Sequence, residues 1–154
     1  LALDAMAPWD DGQIKLLITH RALLARMAKR ELFTFGSYIP LNVVGDRQRH
    51  VFAFARRRGD DWAILVIPRL LAKLNELFER DMTAPPVGAD AWDVTCLQLP
   101  DGAPANWVNA LTQQVVSADR MGDQLIIPLA RLFQTFPFAM LAPPERGYGG
   151  WKDE

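Results

Sequence analysis

The strongest constraint on the fold is a pair of apolar segments that a short turn separates. Residues 50–57 and 62–67 flank a turn in which Gly59 can adopt the backbone conformation of a hairpin. Apolar side chains occupy both alternate sets of positions in 51–55, and 63–67 is apolar throughout. Strands of this kind are covered on both faces. The sequence therefore predicts an antiparallel pair at the centre of a sheet.

The rest of the chain contains short strand-like segments and short helices. Further strand candidates are 38–44, 92–99, 107–111, 124–127 and 138–141. Pro68 and Pro128 each open a short helix, because proline is tolerated in the first helical turn. These elements predict a mainly β (α+β) fold, in which an antiparallel β-sheet or sandwich carries a leading α-helix and one or two short helices.

The length of 154 residues fits one domain. We expect residues 1–142 to form a β domain with its leading helix at about 10–30. Residues 143–154 hold three glycines and two prolines and are expected to be a flexible tail. The chain begins with Leu1 and not with methionine, so we expect it to start within a longer translated protein or to be trimmed.

The leading helix has an unusual apolar pattern. Asp10 and Gln13 are spaced as a capping box at its start. At about 100° per residue its apolar side chains form two arcs. The first arc contains Ile14, Leu17, Ile18, Ala22, Leu24, Ala25 and Ala28, and the second contains Leu16, Leu23 and Met27. A surface helix of an isolated domain needs one apolar face. We therefore expect the helix to lie between this domain and a further structure; a helix beneath a long loop is the alternative.

Composition excludes several classes of partner. The chain has 17 basic and 18 acidic residues, a net charge of −1, so no global field favours nucleic acid or an anionic membrane. No apolar run approaches the roughly 18 residues of a membrane span, and no secretory leader is recognisable. The three arginines at 56–58 are interpreted as a solvated hairpin tip. With a single cysteine and no leader, we expect a cytoplasmic protein without a disulfide.

The sequence has no motif of a known catalytic or cofactor site. It lacks a glycine-rich phosphate loop, a Gly-x-Ser-x-Gly elbow, a His-Glu-x-x-His pair and a calcium loop. Cys96 falls in a predicted strand and is interpreted as a small buried hydrophobe, and His20 and His50 as structural residues. We therefore predict no catalytic residue, no cofactor and no metal ligand in this chain.

Two tryptophans are candidates for sugar contact. Trp62 and Trp92 stand at the starts of predicted strands beside acidic turns, where partial exposure would let an indole ring stack on a sugar. The same rings are also good core residues, and core packing is the alternative interpretation.

Six segments in order along residues 11–141 carry a resemblance to a known family. They read Asp-Gly-Gln-Ile-Lys-Leu at 11–16, Gly-Ser-Tyr-Ile-Pro-Leu at 36–41, His-Val-Phe-Ala-Phe-Ala-Arg at 50–56, Trp-Asp-Val-Thr at 92–95, Trp-Val-Asn-Ala-Leu-Thr at 107–112 and Phe-Pro-Phe-Ala-Met-Leu at 136–141. Their order and spacing resemble the C-terminal region of the maltooligosyl trehalose synthase family of the α-amylase-like superfamily. The chain departs from the family at Ser37, where an acidic residue is usual, and at Val94, which replaces an aspartate.

The resemblance implies a role in trehalose biosynthesis. Enzymes of this family convert the reducing-end α-1,4 linkage of a maltooligosaccharide to an α,α-1,1 linkage by intramolecular transglycosylation, using two carboxyl groups. Those groups belong to a (β/α)₈ barrel of about 250 residues or more, which this chain is too short to contain. The resemblance therefore implies a non-catalytic C-terminal domain, inactive by itself. Its partners would be the catalytic barrel of the same polypeptide, docked on Leu16, Leu23 and Met27, and, through the full enzyme, the maltooligosaccharide substrate.

Two other functions remain open at this point. The chain could be a stand-alone module that binds maltooligosaccharide on exposed tryptophans, or a small independent hydrolase or isomerase. Binding without turnover would indicate the first function, and a change in the number of reducing ends would indicate the second.

Overall fold

Ten strands and five α-helices lie within residues 12–144, the part of the chain that the computed structural model describes. The strands are β1 Ser37–Pro40, β2 Val43–Val44, β3 Val51–Arg58, β4 Asp61–Pro68, β5 Cys96–Gln98, β6 Asn106–Asn109, β7 Val115–Ser117, β8 Asp119–Met121, β9 Gln124–Pro128 and β10 Ala139–Ala142. The helices are α1 Gln13–Ala28, α2 Arg30–Phe35, α3 Leu71–Leu77, α4 Gly88–Trp92 and α5 Leu129–Leu132. A 3₁₀ turn at Gln48–His50 precedes β3.

The strands form two antiparallel sheets. The six-stranded sheet has the order β1-β3-β4-β10-β6-β7, and the four-stranded sheet has the order β2-β5-β9-β8. The mainly β (α+β) fold class is therefore confirmed. The hairpin of β3 and β4 is also confirmed, since eight residues of each strand pair without interruption from Val51↔Pro68 to Arg58↔Asp61. Gly59, with φ of +60°, opens the two-residue loop.

Apolar side chains fill two clusters, one on each face of the six-stranded sheet. The larger cluster joins both sheets to α3, α4 and α5, and includes Ile64, Trp107, Leu97 and Ile127. The smaller cluster packs α1 against β6 and β10 through Ile14, Ala25, Val108 and Met140, among other residues. The leading helix therefore covers one face of the sheet while the second sheet covers the other.

Coverage of the central hairpin is less complete than its sequence predicts. β4 is covered on both faces, with Ala63 and Ile64 fully buried, as expected. β3 is not: Phe52 keeps 45% of its surface exposed, although Ala53 and Ala55 on the other face are buried. The smaller cluster, which packs on α1, reaches β4 through Leu65 and contains no apolar residue of β3. The prediction of two covered faces is therefore wrong for β3.

Two predicted strands differ from those in the structure. Residues 38–44 divide into β1 and β2, because the Leu41 amide still bonds to Ala53 of the first sheet whereas the Asn42 carbonyl accepts from Gln98 of the second. The predicted strand 92–99 shortens to β5, because 88–92 form helix α4. The helix buries Trp92, and Asp93 ends it with φ of +46°.

The leading helix also differs at both ends from its prediction. It begins at Gln13 with Gly12, in a left-handed conformation, as its N-cap, so Gln13 is not the third helical residue that a capping box requires. Asp10, the predicted cap, lies outside the described residues, as do residues 145–154 of the predicted tail. After Lys29 the chain continues as α2.

Asn109 joins the end of β6 to β10 through its buried side chain. The residue is fully buried, and its Oδ1 accepts hydrogen bonds from the amides of Leu111 at 3.0 Å and Met140 at 3.2 Å. Its Nδ2 donates to the Phe138 carbonyl at 3.4 Å. The Asn109 side chain therefore satisfies buried backbone groups of its own segment and of Met140, which lies 31 residues further along the chain.

Replacing this asparagine should destabilise the domain. Asn109→Ala leaves the amides of Leu111 and Met140 buried without an acceptor, at about 1–3 kcal/mol each, so we expect the free energy of unfolding to fall by at least about 2 kcal/mol in urea denaturation. Asn42→Ala is the matched control, because the Asn42 side chain is exposed and has no hydrogen-bond partner within residues 12–144, so stability should change by less than about 0.5 kcal/mol. Equal stability of the two variants would contradict this role of Asn109.

Candidate functional site

The two tryptophans predicted as candidates for sugar contact are buried. Trp62 is 2% exposed and Trp92 is 0% exposed. The Arg57 guanidinium lies 4.7 Å from the Trp62 ring centroid. Trp92 packs against Phe133 and donates from Nε1 to the Pro86 carbonyl at 2.6 Å. The expected partial exposure is therefore wrong, because Trp62 faces the larger core and helix α4 turns Trp92 into it.

The second apolar arc of α1 lies on the outside of the described structure. Leu16, Leu23 and Met27 are 73%, 53% and 72% exposed. Their spacings of seven and four residues place them on one stripe of the helix, opposite the side that contributes Ile14 and Ala25 to the core. We call these three side chains the helix stripe. It is an apolar surface that the described residues leave uncovered.

Polar contacts attach the helical segment to the hairpin tip. Lys29 Nζ lies 2.5 Å from an Asp61 carboxylate oxygen, and Arg58 forms an ion pair with Glu31. Arg56 donates to the Phe33 carbonyl at 3.0 Å. Arg56 and Arg58 therefore contact α2, and Arg57 donates to the Gly59 carbonyl of the loop, whereas the sequence predicted a solvated turn.

A small polar pocket lies where the two sheets meet beside β1. Its volume is about 220 Å³, and its lining includes Pro40, Leu41, Asn42, Gln98, Asp101 and Gln124. Gln124 Nε2 donates to the Leu99 carbonyl at 2.5 Å, which fixes that amide. Within residues 12–144 the side chains of Asn42, Gln98 and Asp101 have no hydrogen-bond partner. We call this site the polar pocket.

Sequence reasoning did not find the polar pocket. Its amide and carboxyl groups come from positions 42, 98, 101 and 124, which share no motif or period. The one available signal is Gln98 between Leu97 and Leu99, because a polar residue between two apolar residues in a strand points away from the core. That signal places one side chain on a surface without indicating what lies beside it.

The histidines and carboxylates of the described residues form no metal site. No group of three or more His, Cys, Asp or Glu side chains in residues 12–144 could hold a metal ion. His50 is buried, with Nδ1 3.3 Å from the Leu70 carbonyl, whereas His20 is exposed on α1. The same stretch contains no helix of the length and apolarity that crossing a bilayer requires.

Cys96 is buried, as its place in a predicted strand indicated. Its Sγ donates to the Val94 carbonyl at 3.2 Å, and the residue is 9% exposed. Burial raises the pKa of the Cys96 thiol, the Asp119 carboxylate adds to this effect, and Arg131 opposes it. The thiolate is therefore a smaller fraction of Cys96 at neutral pH than of an exposed cysteine.

Alkylation should report this environment. At pH 7.5 we expect iodoacetamide to modify Cys96 in the native chain at least about tenfold more slowly than in the urea-unfolded chain, followed by mass spectrometry. Because the pKa of the Cys96 thiol is raised, the alkylation rate of the native chain should begin to increase at a higher pH than that of the unfolded chain. Equal rates in both states would show that the thiol is neither protected nor perturbed.

Comparison with solved structures finds matches to parts of two enzymes. A mutant of maltooligosyltrehalose synthase from Arthrobacter ramosus matches with a TM-score of 0.56 and 25% sequence identity, over 82% of this chain and 13% of that one. A noncanonic maltogenic alpha-amylase AmyB from Thermotoga neapolitana matches with a TM-score of 0.47 and 14% identity, over 74% of this chain and 22% of that one. The sequence matches no protein-family model and no curated protein. The chain thus spans a small part of the synthase, and its structure has the resemblance to maltooligosyl trehalose synthase that the six ordered motifs predict.

Proposed function

We propose that this chain is a non-catalytic C-terminal domain of a maltooligosyl trehalose synthase. The enzyme would convert the reducing-end α-1,4 linkage of a maltooligosaccharide to an α,α-1,1 linkage on a catalytic barrel of the same polypeptide. The observation that carries this proposal is the match over 82% of this chain but only 13% of the synthase. A match of that proportion is typical of one domain in a multidomain enzyme.

We infer that the isolated chain has no activity of its own, because the resemblance places both catalytic carboxyl groups on a (β/α)₈ barrel that this chain is too short to contain. A retaining glycosyl transfer needs two carboxyl groups about 5–5.5 Å apart, one of them ionised and free to attack. We therefore expect the isolated chain to leave the reducing ends of maltooligosaccharides unchanged.

The helix stripe supports a barrel as the partner domain. One side of α1 already packs on the six-stranded sheet, so the exposed stripe on its other side offers an apolar contact to a second body. Interfaces between domains of one chain bury roughly 600–1,500 Å². A helix sandwiched between two domains gains burial on both sides, which accounts for the two apolar arcs of its sequence.

We place the protein in the cytoplasm as part of the same proposal. Cys96 is the single cysteine of the sequence and is held as a thiol in the core. A buried unpaired thiol of this kind is typical of a reducing compartment.

The reading frame upstream of the Leu1 codon tests the domain assignment directly. We expect the frame to continue for several hundred codons that alternate between strand and helix patterns, as a (β/α)₈ barrel requires. A translation start within a few codons of Leu1 would contradict the proposal, because the chain would then lack a catalytic domain on its own polypeptide.

Polar substitution of the helix stripe tests the docking. In the complete polypeptide, Leu16→Gln, Leu23→Gln and Met27→Gln together should lower the thermal midpoint and the activity, since full burial of each side chain is worth about 1.5–3 kcal/mol and glutamine keeps a helix propensity close to that of leucine and methionine. In the isolated 154-residue chain the same triple variant should keep its midpoint, because the three side chains are exposed there.

A second triple variant provides the control. Leu77, Met82 and Val94 are exposed apolar residues near α3 and α4, which pack on the larger cluster, and their replacement by glutamine should leave the complete polypeptide unaffected. The docking proposal would be contradicted if the two triple variants changed the thermal midpoint and the activity equally, or if the stripe variant changed neither.

A further inference from the structure

We propose that the polar pocket binds one sugar unit of an α-1,4-glucan, and that an aromatic surface beside it binds the next units. The choice of an α-1,4-glucan rests on the proposed function; the choice of a neutral carbohydrate rests on the side chains described below. This site lies on strands β1, β3, β5 and β9 with their connections, and includes no residue of the helix stripe.

The chemistry of the polar pocket suits sugar hydroxyls. A hydroxyl group both donates and accepts, and side-chain amides offer both functions. Asn42 and Gln98 present amides with no partner within residues 12–144, and Asp101 adds a carboxylate acceptor. Gln124 Nε2 is held by the Leu99 carbonyl, which leaves its Oε1 as a positioned acceptor. Four polar side chains thus converge on one small space.

The charges and the size of the pocket restrict which ligands it can bind. Its lining contains no lysine, arginine or histidine, so a phosphorylated or carboxylated ligand would meet no cation there. The volume of about 220 Å³ is below the roughly 300–1,000 Å³ of pockets that enclose drug-sized ligands. A single ring fits this description, and a longer ligand has to continue along the surface.

An aromatic surface continues from the pocket along β1 and β3. Tyr38 and Phe54 stack with ring centroids 5.0 Å apart and an angle of 28° between their planes, and Phe52 lies 5.8 Å from Phe54. Tyr38 is 49% exposed and Phe52 is 45% exposed. Aromatic faces open to solvent pack against the apolar face of a sugar ring. We call these three rings the aromatic surface.

Pro40 connects the two parts. It lines the pocket and is paired with Phe54 across the β1–β3 ladder. Residues directly opposite in an antiparallel pair have Cβ atoms about 4.5–5.5 Å apart and share one face of the sheet. A glucan with one unit in the pocket can therefore pass over Pro40 onto the rings of Phe54 and Tyr38.

The test is a titration of the isotope-labelled 154-residue chain with maltoheptaose, followed by backbone amide NMR. We expect saturable shifts that cluster at the pocket and at the aromatic surface. The double variant Asn42→Ala with Asp101→Ala should weaken binding at least about tenfold, since two hydrogen-bonding groups are lost. Tyr38→Ala should weaken it about threefold or more. Both changes are at exposed side chains, so the amide spectra should remain those of the folded chain.

The matched control is Gln134→Ala with Asp90→Ala, which removes an exposed amide and an exposed carboxylate outside the pocket and should leave binding unchanged. Absence of saturable shifts in the folded chain, or binding that survives the Asn42 and Asp101 substitutions, would overturn the inference. The upstream reading frame decides the proposed function without reference to sugar. If the frame encodes a barrel but the chain does not bind maltoheptaose, only the sugar-site inference fails. If the chain binds maltoheptaose but no barrel is encoded, only the proposed function fails.

Discussion

The hairpin of β3 and β4 is the structure on which the rest of the domain depends. Its eight paired residues on each strand form the longest ladder of the fold, and the two-residue loop at Gly59 fixes their register. A shift of one residue would exchange the two faces of each strand. Ala53, Ala55 and Ile64 would then leave the larger core, and both the second sheet and the helices would lose their contact surface.

The same hairpin positions the leading helices. Its tip supplies Asp61 to Lys29 and Arg58 to Glu31, while Arg56 bonds to the Phe33 carbonyl. These contacts hold the end of α1 and the start of α2 at one end of the sheet. Because the packed side of α1 is thereby determined, its opposite side, the helix stripe, points away from the domain. The docking proposal follows from that orientation.

A crossing between the two sheets creates the polar pocket. The chain leaves the first sheet after Leu41 and joins the second at Asn42, where its carbonyl accepts from Gln98. This crossing brings the end of β1 beside the end of β5 and the start of β9. The domain therefore carries two separate surfaces: an apolar one on α1 suited to a protein domain, and a polar and aromatic one suited to a carbohydrate.

The fold class, the central hairpin, the two arcs of α1 and the resemblance to a trehalose-forming enzyme family were predictable from the sequence. These features depend on local periodicity, turn residues and the order of short motifs, all of which are readable along the chain. Only the tertiary structure decided that Trp62 and Trp92 are buried, that β3 leaves Phe52 exposed, and that positions 42, 98, 101 and 124 share one pocket. The physical reason is that exposure and proximity depend on which elements pack together. Residues up to 84 positions apart, Pro40 and Gln124, meet in the pocket through sheet pairing, which no local pattern encodes.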